Sequence, residues 1–94
     1  MRSNVQRLRQ EIDYIDDQIK VLFIKRMELV SDISAIKAIL NLPIMDITRE
    51  HDIQSRLTSD QNEEMAKYTK NLFAVIFETS RSYQARKLGL HHEE

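Results

Sequence analysis

The chain has 94 residues, 41 % of them hydrophobic and 31 % charged, with one glycine, one proline, no cysteine and a formal net charge of −1. One domain at most fits this length, and it buries only about 60–65 % of its extended-chain surface, so its own core is thin. Near-neutral charge without a Lys/Arg block argues against nucleic acid, and a cysteine-free chain has no disulfide or thiolate chemistry.

With so few breakers the chain reads as all-α, a single domain over 1–94 with three helices. The first is expected over about 3–40, with Ser3 or Asn4 as its cap, and about 37 residues make it roughly 55 Å long. Along it Val5, Leu8, Ile12, Ile15, Ile19 and Leu22 recur at spacings of three and four, the stripe of a helix packed along a seam. Arg26 takes the next seam position, and the stripe resumes through Leu29, Ile33, Ile36 and Leu40.

The break "NLPIMD" ends this helix, and a second is expected over about 46–57, capped by Asp46, with Ile47, Ile53 and Leu57 inward. "SDQNEE" reads as a polar turn, with Ser59 or Asp60 as the next cap and capping-box spacing between Asp60 and Glu63. The third helix is expected over about 62–87, with Met65, Tyr68, Leu72, Val75 or Ile76, Thr79 and Tyr83 as its inner face. Gly89 stops it, and 89–94 reads as a frayed tail. At about 39 Å the third helix cannot cover the first, so a homodimer is expected, in which the two long helices can lie antiparallel and each chain covers part of the other's seam. The amino-terminal "MRSNVQRLRQEIDYID" lacks a signal peptide's apolar core, and no apolar run is long enough to span a bilayer, so a cytoplasmic, membrane-free protein is expected.

Arg26 has two readings: a polar residue that fixes the register of a coiled coil, or a ligand-binding cation. Lys37 lies three helical turns on, about 16 Å away and on nearly the same face, which leaves room between the two heads for a small dianion. Arg9 stands beside the seam about 25 Å from Arg26, so it belongs to the same site only if it arrives from an antiparallel partner. In "DITRE", Asp46 is an ordinary cap and Arg49 with Glu50 an ordinary solvated first turn, but the turn at Pro43 folds them back toward Lys37. Ser80 and Gln84, one turn apart in "ETSRSYQ", look inward and need a partner, which a buried water, a backbone carbonyl or a ligand would supply. No glycine-rich phosphate loop occurs, and His51, His91 and His92 lack metal-ligand spacing, so neither cofactor nor metal is expected. Cations, neutral donors and a carboxylate make a site that binds a small anion and stabilises developing negative charge.

From "LRQEIDYIDDQI" through "KRMELVSDISAIK", "PIMDITRE" and "ETSRSYQ", the chain resembles the all-helical AroQ-type chorismate mutases in order and close to their spacing. The resemblance implies an intertwined dimer of three-helix chains that converts chorismate to prephenate without cofactor or metal. It implies that Arg9 reaches into the partner's site and that Arg26 binds a carboxylate in its own. Lys37 and Gln84 resemble the two donors to the ether oxygen of the breaking bond. Asp46 and Glu50 match positions around the ring hydroxyl, Arg49 a supporting arginine and Ser80 a carboxylate contact. Family relatives are fused to other shikimate or prephenate enzymes, so fusion to or association with such an enzyme is an open expectation. Two alternatives remain: an isochorismate-pyruvate lyase on the same fold, against which "DITRE" speaks, and a non-catalytic helical dimerisation module.

Overall fold

The ends of the helices are set by local chemistry. In the computed structural model, which describes residues 4–89, the elements are α1 (Asn4–Ile39), α2 (Ile47–Thr58) and α3 (Glu63–Lys87). Ser3 and the tail beyond Gly89 lie outside the described residues. α1 ends where Asn41 turns left-handed at φ 57°. The Asn41 amide donates to Ala38 O at 3.2 Å and the Leu42 amide to Lys37 O at 2.8 Å. This is a Schellman closure with asparagine where glycine is usual, and Pro43 then prevents the helix from resuming.

α2 begins at Asp46, whose carboxylate accepts from the Arg49 amide at 3.0 Å, as expected. The cap of α3 differs from the sequence expectation: it is Asn62, accepting from the Met65 amide at 2.7 Å, and not Ser59 or Asp60. Ser59 is still right-handed and closes α2, donating its hydroxyl to Arg56 O at 3.0 Å. Asn62 has the extended backbone that directly precedes a helix. Gly89, at φ 69°, ends α3.

α3 packs against both α1 and α2. Its buried line is Phe77, Ser80 and Gln84, with Phe73 and Ile76 half-buried on the same side. Of the expected inner face, Ile76 and Tyr83 are half-buried, but the rest lies one residue out of phase: Met65, Tyr68, Leu72 and Val75 are 50–63 % exposed, and Thr79 is exposed as well. Because α3 is apolar on two adjacent stripes, hydrophobicity does not distinguish the one used within the chain. α2 contributes Ile53, buried, and Leu57, half-buried, whereas Ile47 is exposed.

α1 has the same double character. Its inner side is Phe23, Arg26, Met27, Val30, Ser34 and Lys37, while the apolar seam from Val5 to Leu40 is 48–63 % exposed. No residue from Asn4 to Leu22 is even half-buried. The chain measures 59 × 29 × 26 Å, with a radius of gyration of 17.1 Å, against about 12 Å for a compact domain of this length. Among the described residues the buried hydrophobic side chains are Ile53 and Phe77.

Candidate active site

The three helices line a half-open cavity of about 450 Å³, a size typical of small-molecule sites. Its apolar walls include Val30, Ile33, Ile44, Ile53 and Phe77. Arg26, Lys37, Asp46, Arg49, Glu50, Ser80 and Gln84 all line it, so seven of the eight residues singled out in the sequence converge from three helices.

Arg26 stands where the seam meets the inner side of α1. Its Nη1 donates to Ser80 Oγ at 2.9 Å, and its guanidinium carbon lies 5.8 Å from the centre of the Phe77 ring. Burial, then repulsion from Arg49, lowers its pKa below the ordinary arginine value, and attraction from Glu50 opposes them. A cation so placed loses hydration without gaining a carboxylate in contact, as a ligand-binding cation does. Lys37 is aimed differently. Its Nζ donates to Ile44 O at 2.8 Å, so the link between α1 and α2 holds the ammonium against the cavity wall.

Capping of α2 by Asp46 places Arg49 and Glu50 on the first helical turn, facing α1 and α3 across the cavity. Gln84 is 6 % exposed, and its Nε2 makes only a 3.4 Å bond to Ser80 O. Its Oε1 is buried without a partner. Nε2 carries two N–H groups, so one donor remains beyond its long bond to Ser80 O.

Arg9 is not brought to the site; it lies on the exposed outer half of α1. Conversely, the structure adds Arg81, which lines the cavity and donates Nη1 to Glu50 Oε2 at 2.5 Å. A signal for it was present, since 77, 80, 81 and 84 share one face of a helix. Among the described residues no group of three His, Cys, Asp or Glu could hold a metal ion, and no described helix is long and apolar enough to cross a membrane.

The family model for chorismate mutase type II matches residues 8–85. The chain is 35 % identical over 90 residues to the bifunctional chorismate mutase/prephenate dehydratase of Buchnera aphidicola subsp. Schizaphis graminum, an alignment covering 94 % of this chain and 23 % of that one. It is 31 % identical over 86 residues to the enzyme of the same description from Escherichia coli K12, covering 89 % and 22 %. It therefore spans under a quarter of the length of these relatives, and no solved structure gives a comparable match. A matched region that starts just before Arg9, ends just after Gln84 and takes in the whole cavity places this chain in the chorismate mutase type II family.

Proposed function

We propose that this domain is a chorismate mutase, rearranging chorismate to prephenate on the way to phenylalanine or tyrosine. The observation that carries the reading is the donor set around one cavity: Lys37 Nζ and an under-bonded Gln84 amide, flanked by Arg26, Arg49 and Ser80. The rearrangement is concerted, so it needs neither nucleophile nor general base. It needs the enolpyruvyl group folded over the ring and charge on the ether oxygen stabilised as the C–O bond breaks. Arg26 and Ser80 bind carboxylate, Arg49 supports the site, and Asp46 and Glu50 flank the ring hydroxyl. Together they hold the folded conformer, which lowers the entropic part of the barrier. Lys37 and Gln84 donate to the ether oxygen, and preorganised donors aimed at developing charge supply the electrostatic part.

The working molecule in this reading is a homodimer. The two apolar side chains buried among the described residues cannot offset the ordering of a chain this long, whereas a second copy laid antiparallel along α1 would cover the seam. The same arrangement brings the partner's Arg9 toward the cavity. The full-length relatives join the mutase to a prephenate dehydratase, and we include in the proposal that prephenate passes to a fused or associated enzyme that consumes it.

The test is to incubate the purified protein with chorismate, and separately with isochorismate, and identify products by chromatography beside Lys37→Ala. Prephenate is expected from the parent, with the rate reduced about 10²- to 10³-fold in the variant. Salicylate and pyruvate from isochorismate, with little prephenate, would replace the mutase by the lyase. Turnover of neither would leave a binding or dimerisation module.

A further inference from the structure

Two ion pairs occur among the described residues: Arg7–Glu11 lies within α1, and Arg81–Glu50 joins α3 to α2 inside the cavity. The side chains of Arg81 and Glu50 are 29 % and 20 % exposed, so the pair is partly shielded from water. Four cations line the cavity, Arg26, Lys37, Arg49 and Arg81, against the carboxylates of Asp46 and Glu50. Asp46 is committed to capping α2. Glu50 is therefore the cavity carboxylate that is not committed to a cap, and it is close enough to act electrostatically on Arg26.

A carboxylate tethered inside the cavity competes with substrate at an effective concentration of the order of millimolar or more. Left alone, Glu50 would settle on Arg26 or Arg49 and occupy the cations that a substrate carboxylate needs. Among the described residues the ion-pair partner of Glu50 is Arg81, not Arg26 or Arg49. We propose that Arg81 is a positioning residue: by holding Glu50 Oε2 it keeps that carboxylate away from Arg26 and Arg49 and so leaves both arginines open to the substrate dianion. This rests on the reading of the cavity as the chorismate site.

The experiment measures kcat and KM for chorismate in the parent, Arg81→Met, Glu50→Gln, the double variant and Arg81→Lys, with circular dichroism as a check on folding. Arg81→Met is expected to raise KM about tenfold, equivalent to 1.4 kcal/mol of binding, with little change in kcat. Adding Glu50→Gln removes the competing charge, and KM is expected to fall back to that of Glu50→Gln alone. Arg81→Lys retains the pair and stays near the parent. An unchanged KM in Arg81→Met, a double variant as impaired as Arg81→Met, or a lysine variant no better than methionine would each overturn the proposal. Should Arg81→Met not fold, Arg81→Gln takes its place with the same expected pattern. A parent that does not turn over chorismate overturns the mutase reading and this proposal together. An active parent without the rescue overturns the proposal alone.

Discussion

Gln84 is a residue whose chemistry is fixed by what it lacks. A neutral amide has no proton to lose in this range, so the donation to the ether oxygen that we propose for it would be independent of pH. The parent is expected to hold its activity from about pH 5 to 8, the range in which a buried carboxyl would titrate. Gln84→Glu places a carboxyl at a 6 % exposed position, where desolvation favours the protonated form that can still donate. Its activity is expected to fall as pH rises through that range, and a pH profile of kcat/KM for both proteins checks the pair of outcomes. A steep alkaline loss in the parent would remove Gln84 from the donor role.

Arg26 gives the second prediction at this scale. Burial and Arg49 lower its pKa, so the folded state holds the charged form less willingly than the unfolded state. Below both pKa values each state carries the proton, and the cost to folding is constant with pH. Stability from this group would rise only in strongly alkaline solution, where the folded state releases the proton first. Across neutral pH, Arg26→Leu is therefore expected to raise the melting temperature while lowering activity by about 10²-fold or more. Thermal melts and initial rates on the same preparation test this, and a lower melting temperature would contradict it.

At the scale of elements, the turn after α1 decides whether Lys37 and α2 meet. Asn41 sits at φ 57°, a conformation that costs an ordinary L-residue about 1–2 kcal/mol. Asn41→Gly is expected to be neutral or slightly stabilising, and Asn41→Val to destabilise by about that amount, as read by denaturant unfolding. The elements themselves were largely legible in the sequence: helices expected over 3–40, 46–57 and 62–87 are found at Asn4–Ile39, Ile47–Thr58 and Glu63–Lys87. Breakers and caps are local signals, and three of the four helix boundaries that carried a named signal within the described residues fell where the chemistry put them. The fourth, the cap of α3, went to Asn62 because several polar residues of that turn can all cap, and backbone geometry alone chooses among them.

The orientation of helix faces was less legible. α3 carries apolar residues on two adjacent stripes, and a stripe made for a partner chain reads no differently from one made for the core. Arg81 escaped notice for a related reason. In sequence it is a charged residue beside Ser80, and only the approach of α2 gives it Glu50 as a neighbour. Seven site residues were recoverable because their order and spacing along three helices are those of a family. Arg9 is exposed and remote from the cavity of its own chain, so its proposed place in a partner's cavity rests on the family resemblance alone.

For the whole molecule, a site completed across subunits makes a prediction that a self-contained protomer cannot. Arg9→Ala and Lys37→Ala are each expected to be nearly inactive as homodimers. Unfolded together and refolded as a mixture, half of the dimers become hybrid, and each hybrid regains one site with an intact Arg9 and an intact Lys37. Recovery of about a quarter of the parent activity is expected. Mixtures no more active than their components would mean that Arg9 acts within its own chain or not at all. Sedimentation of the parent, run beside these assays, should give twice the protomer mass.

The grip on Lys37 also bears on how such a sequence can drift over generations. Its ammonium is held by a main-chain oxygen, at Ile44, and every amino acid supplies one. Point changes along 41–45 can therefore accumulate without releasing the lysine, provided the left-handed corner at 41 survives. Adding or deleting a single residue there would carry the oxygen out of reach. Among homologous sequences, that connection should be free in spelling and fixed in length.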